Sequence, residues 1–136
     1  MPVRPPTFRP RGLRTRKQAN AEYDARRGSA RDRGYDRQWD AEALSFKRSH
    51  PLCLGCRAIG RVTATEVVDH VEPHRGDMTK FWNRDMWQPS CRWHHDVVKQ
   101  QLEALFGHGK ASVNDLWLNS KKAIELSLRS WTPGGV

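Results

Sequence analysis

The sequence predicts a small α+β domain stapled by metal, and three observations carry that expectation. A chain of 136 residues has the length of one domain, but only 37% of it is hydrophobic and its mean hydropathy is -0.83, too polar for a core that holds unaided. One β-branched run, Val62 to Val71, stands between segments of helical period. Cysteines and a histidine fall in two pairs of metal-ligand spacing, Cys53/Cys56 and Cys91/His94.

The elements follow in chain order. Residues 1–34 carry Pro2, Pro5, Pro6, Pro10, Gly12, Gly28 and Gly34 among arginines with no sustained apolar period, so they read as a disordered basic leader, with at most transient helix around Lys17 to Arg27. Order is expected from Tyr35. Trp39, Ala43, Leu44 and Phe46 recur at helical intervals, and His50-Pro51 ends that helix. The run Val62, Thr63, Thr65, Val67, Val68, Val71 predicts a strand leading to Asp69-His70. In a regular strand those two side chains point to opposite faces, so a turn in the backbone is expected there, with Pro73 close behind. His74-Arg75-Gly76-Asp77 reads as a loop, and a second short strand is expected near Met86 to Gln88, running into Pro89. From His94, the positions Val97, Val98, Leu102, Leu105 and Phe106 make a helix face that Gly107 and Gly109 stop. Ser120 to Leu128 reads as a final helix, capped by Ser120 or Asn119 and packed through Ala123, Ile124, Leu126 and Leu128. The division expected is a leader over 1–34, a metal-stapled domain over 35–110 and a C-terminal helical extension over 111–136. No internal repeat is present.

Charge points to a polyanionic partner. The net charge is +9, and eleven Arg or Lys against four Asp or Glu lie between Met1 and Arg37. Such an arm gains affinity for phosphate backbones by releasing counterions, although a basic leader is also consistent with a merely solvated tail. No stretch approaches the roughly 18 apolar residues of a membrane span. The three cysteines cannot all pair, and nothing in Met1 to Arg11 resembles a secretory signal. A reducing, cytoplasmic compartment is therefore expected, where thiols more often hold metal than form disulfides.

The pairs Cys53-Leu54-Gly55-Cys56 and Cys91-Arg92-Trp93-His94 suit a structural, tetrahedral zinc ion held by two tight turns. Thirty-four residues separate the pairs, so the metal would tie together both ends of an inserted subdomain.

His95 directly follows a zinc-ligand candidate. Adjacent helical residues are rotated by about 100°, so His94 can face zinc while His95 faces a second site. Phosphodiester hydrolysis needs a base to activate water and a cation to hold the phosphate. His70 suits the first task, and Asp69 with His95 would hold a catalytic divalent ion with open positions for the second, a pair that accepts several such ions. His74, Arg75 and Lys99 are candidates for contact with a substrate phosphate. Trp39, Trp82, Trp87 and Trp117 read as core residues rather than base-stacking ones.

At these residues a resemblance becomes specific. Val67-Val68-Asp69-His70-Val71-Glu72-Pro73-His74-Arg75-Gly76-Asp77, Phe81-Trp82, Trp87-Gln88-Pro89, and Cys91 to His95 with Asp96 and Lys99 resemble the HNH endonucleases of phages and prophages, over about Tyr35 to Leu105. The resemblance implies a ββα-metal core with flanking helices, His70 as general base, Asp69 and His95 as ligands of one divalent ion such as Mg²⁺ or Mn²⁺, structural zinc on the cysteine pairs, and DNA as substrate. It also suggests a role beside a phage packaging terminase, in restriction or in homing. One position departs from the pattern: the family's middle asparagine, a brace for the loop that orients the base, is Met86 here. Asn83 reads as an exposed loop residue rather than its replacement.

Two other readings compete. His70-Val71-Glu72 is an H-x-E triplet, but zinc deaminases place their cysteine pair after it, whereas Cys53 precedes it. The stronger rival is a zinc-ribbon-like DNA-binding module with weak or no nuclease activity. A pure binder has no need of a base beside a carboxylate and a second ligand, which favours the enzyme.

Overall fold

Helix starts and stops in this chain are set by short polar caps, and the computed structural model, which describes residues 12, 15–27 and 33–131, shows them at work. Most of the expected leader lies outside the described residues; within it Arg16–Arg27 forms helix α1. Helix α2 spans Arg37–Ser49, with Asp36 accepting from the Trp39 amide at its start and Trp39, Ala43 and Phe46 buried along one face. Helix α3, Leu54–Ala58, begins at Cys53, whose sulfur accepts from the Cys56 amide.

The sheet is smaller than the β-branched run suggests. Strand β1 covers only Val67–His70 and pairs antiparallel with β2, Trp87–Ser90, in the register Val67↔Ser90, Val68↔Pro89, Asp69↔Gln88 and His70↔Trp87. The expected strand from Val62 is a loop instead. Its amides and carbonyls go to the segment before α3, through Cys53 N–H to Thr63 and Thr65 N–H to Pro51, and Val62 is 83% exposed. β-Propensity describes fit to a half-buried surface, and no third strand is present among the described residues to supply that surface. Between the strands lie the short helix α4, Met78–Phe81, capped by Asp77, and one 3₁₀ turn at Arg84–Met86 capped by Asn83.

After β2 the chain enters a helix whose first part, His94–Lys99, is π-helical before it continues as α5, Gln100–Gly107. Short π segments of this kind recur at functional sites. Gly109, at φ 72, takes the left-handed conformation that ends the helix. A capping box of Ser112 and Asp115 starts a 3₁₀ turn, and Ser120 caps α6, Lys121–Ser130.

Two apolar clusters hold these pieces. Val71, Val98, Leu102, Leu116, Leu118, Ala123 and Leu126 form one, so the C-terminal segment shares a core with the helix that follows β2. Each buried leucine there contributes roughly 2 kcal/mol. Trp39, Ala43, Phe46, Val68, Phe81 and Trp87 form the other, between α2 and the sheet. Leu128, expected to pack, is 63% exposed. Ser127 takes the inward position on α6 instead, because a polar partner waits there. No helix among the described residues is long and apolar enough to cross a membrane.

Candidate functional site

The two cysteine pairs meet. Cys53, Cys56, Cys91 and His94 are all buried, and their ligand atoms lie within 4.8 Å of one another. Cys56 Sγ and Cys91 Sγ are 3.7 Å apart, and His94 Nδ1 stands 3.4 Å from both. A tetrahedral ion about 2.3 Å from each sulfur would hold two sulfurs near that separation, so donor set and spacing both fit a metal. The histidine tautomer fits as well. Ser127 Oγ gives its proton to the Ala123 carbonyl, so His94 Nε2–H donates to Ser127 Oγ at 3.1 Å, and Nδ1 faces the sulfurs as a lone-pair donor. Ser127 carries no signal in the sequence, where nothing distinguishes it from any helical serine.

A hydrogen bond from Cys91 above all holds the Cys53 thiol down at about 3, in thiolate range. Cys91, which keeps its proton for that bond, is pushed up, and burial pushes Cys56 up. Gly55 is what lets α3 close on the histidine: a Cβ there would lie 2.3 Å from His94 Cδ2. Gly55→Ala is therefore expected to displace His94, lowering stability by about 1–3 kcal/mol and weakening metal retention. Thermal melting with a competing chromophoric chelator would read both, and a variant with native melting and native retention would refute the assignment.

The second constellation lies in a cleft of about 980 Å³ lined by Asp69, His70 and His95, with Arg33, Lys47 and Arg75 also on its walls. The backbone does not need to turn at Asp69-His70, as the sequence suggests it should. Both residues sit in regular strand, and the cleft runs along the edge of β1 that β2 leaves uncovered, so side chains from both faces reach it.

Asp69 is 4% exposed. Its Oδ2 accepts from Gln88 Nε2 at 2.8 Å and from Lys99 Nζ at 2.9 Å. Its Oδ1 lies 3.6 Å from His95 Nε2, too far for a hydrogen bond. An octahedral ion about 2.1 Å from each atom would hold adjacent ligands about 3.0 Å apart, so binding would draw Oδ1 and Nε2 together by about 0.6 Å. His95 Nδ1–H donates to Asp96 at 3.1 Å, which leaves the lone pair on Nε2.

Lys99 contradicts the expectation of a phosphate contact. It is 1% exposed, and its three ammonium protons go to Asp69 Oδ2, the His70 carbonyl and Glu103 Oε1. That is all an ammonium group can donate. The side chain locks the Asp69 carboxylate and has no proton left for a ligand in the cleft.

His70 is buried against Trp39, whose ring stacks on it with centroids 4.9 Å apart at 21°. Its Nε2 meets the Phe81 carbonyl at 3.0 Å. A carbonyl only accepts, so Nε2 carries the proton and Nδ1 the lone pair. Burial, more than the opposing Phe81 bond, lowers its pKa to about 4, so the ring is neutral at pH 7.

His74 is less available than expected. Its Nδ1 accepts from the Gly76 amide at 3.1 Å and its Nε2–H donates to Tyr35 Oη at 3.1 Å, so both nitrogens are engaged in clamping the loop. Arg75 is exposed on the cleft wall with φ 49, a left-handed conformation uncommon outside glycine and asparagine. Arg33 belongs by sequence to the basic leader, yet it lines the cleft, and its buried Nε has no hydrogen-bond partner among the described residues. Its charge also helps to lower the His74 pKa, after burial.

Comparison with family models, with curated proteins and with solved structures finds no match to this chain, so the arrangement of side chains carries the functional reading.

Proposed function

We propose that the chain is a zinc-stapled, divalent-metal-dependent DNA endonuclease of the HNH type. The observation that carries this reading is the convergence on one cleft of Asp69 Oδ1 and His95 Nε2, 3.6 Å apart, beside a neutral His70 whose Nδ1 has no partner among the described residues. The order of strand, loop, strand and helix agrees with a ββα-metal core, and the Cys53, Cys56, Cys91, His94 cluster supports the structural zinc.

In this mechanism Nδ1 of His70 takes a proton from water as the water oxygen bonds to phosphorus, and the bond from phosphorus to the leaving sugar oxygen breaks. A divalent ion on Asp69 and His95, Mg²⁺ or Mn²⁺, would supply the charge that stabilises the phosphorane and the leaving oxygen. Lys99 and Gln88 fix Oδ2 of Asp69 and so present Oδ1 to the cleft. Arg33 and Arg75 bring cations to the wall where phosphate oxygens would lie.

A supercoiled plasmid assay with Mg²⁺ or Mn²⁺ tests the reading. The native chain is expected to nick, and His70→Ala to lose about 10²- to 10⁴-fold in rate with zinc content unchanged. Nicking that survives His70→Ala would overturn the mechanism. Absence of cleavage with every metal, together with retained DNA binding, would favour the zinc-ribbon-like binding module.

A further inference from the structure

We propose that Trp87 is the positioning residue for His70, acting through the carbonyl of Phe81. The role assigned to His70 rests on the nuclease reading; the hydrogen-bond geometry does not.

The Phe81 carbonyl closes α4, a helix of one turn, and no backbone amide among the described residues takes it. Two side-chain donors take it instead. His70 Nε2 lies at 3.0 Å and Trp87 Nε1 at 2.9 Å, which satisfies both lone pairs. The strand register explains the meeting: His70 and Trp87 are direct cross-strand partners, so their side chains leave the same face of the sheet. Phe81 and Trp87 are both buried, so neither bond competes with water.

The consequence falls on the base. Stacking on Trp39 fixes the plane of the His70 ring, but a half-turn of the ring within that plane would exchange its two edges. The Phe81 carbonyl breaks that degeneracy by accepting only from a protonated nitrogen. The carbonyl in turn belongs to the loop between the strands, and Trp87 Nε1–H ties it to β2. With that N–H removed, the peptide after Phe81 keeps the bond from the Trp82 amide to the Met78 carbonyl but loses its tie to β2, and the selection of Nδ1 as the basic nitrogen relaxes. Met86, where the resemblance expects a bracing asparagine, packs against the other apolar cluster and has no side-chain donor. The brace has moved one residue along the chain.

Trp87→Phe removes the N–H and keeps an aromatic ring. The first readout is the long-range ¹H–¹⁵N imidazole spectrum of the ¹⁵N-labelled, zinc-loaded full chain at pH 7. The native protein is expected to show a single Nε2–H tautomer at His70, and Trp87→Phe a mixture of tautomers, with zinc content and melting recorded beside it. Nicking by the variant is expected to fall about ten- to a hundredfold. A variant that keeps the single tautomer and the native rate overturns the proposal. A second measurement needs no variant: in the native chain the Trp87 indole proton is expected to exchange with solvent far more slowly than an exposed indole, and fast exchange overturns the proposal equally. A native chain that does not nick refutes the nuclease reading, and the two spectroscopic readouts then decide the role of Trp87 alone.

Discussion

Removing metal from the Cys53, Cys56, Cys91, His94 cluster is expected to unfold the domain rather than loosen it. The cluster joins α3, the turn after β2 and, through Ser127, helix α6, so one ion would cross-link segments distant in the chain. The apolar material around it is modest, divided between the two groups of residues that flank the sheet. Structural zinc in comparable sites contributes about 10–16 kcal/mol of apparent binding free energy, against a total stability of about 5–15 kcal/mol for a whole domain. Loss of the ion therefore leaves little or no net stability. A strong chelator should abolish the cooperative thermal transition and much of the far-ultraviolet circular dichroism, and added Zn²⁺ should restore both at one equivalent. Cys91→Ser should behave as the chelated protein does. A chelated chain that melts at the native temperature would refute the zinc staple.

The second large effect is expected at Lys99. Lys99→Met should lower stability by about 3–5 kcal/mol, since it strips a buried carboxylate of its cation. Asp69 would keep Gln88 as a donor but lose the only Lys or Arg paired with it among the described residues. The same change frees the His70 carbonyl and Glu103, each of which accepts from Nζ. The double variant Asp69→Asn with Lys99→Met should recover a large share of the loss, because the charge that needed a partner has gone. Urea denaturation of the two single variants and the double closes that cycle. Additive losses would show that Lys99 acts through packing and not through the carboxylate. The exposed pair Lys80–Glu72 offers the contrast: breaking it should change stability by less than about 1 kcal/mol.

Much of the candidate site is legible in the sequence because it depends on local spacing. The C-x2-C and C-x2-H pairs each sit on one tight turn, so spacing alone groups the four ligands that the fold brings together. The rotation between neighbouring helical residues likewise separates His94 from His95, and the two do face different constellations. Caps are readable for the same reason: the Ser120 hydroxyl reaches an amide three residues away, a distance the sequence counts directly.

What the sequence does not determine is set by contacts between distant residues. Val62 to Glu66 has strand composition, but a strand needs a partner along its length, and among the described residues the fold provides only the single bridge from Leu52 to Ala64. Lys99 looks like a surface lysine until Asp69, thirty positions earlier, is folded beneath it. Ser127 and Leu128 differ in hydropathy in the direction opposite to their burial, because His94 offers the serine a hydrogen bond at that position on α6. The resemblance puts the brace on His70 at Met86, and only strand register shows that Trp87, one residue on, stands opposite His70. The sequence by itself determined which residues could be ligands and which nitrogen chemistry was at hand. Tertiary structure decided which oxygen of Asp69 is open and which nitrogen of His70 holds the lone pair, since a hydrogen-bond partner is chosen by position in space and not by place in the chain.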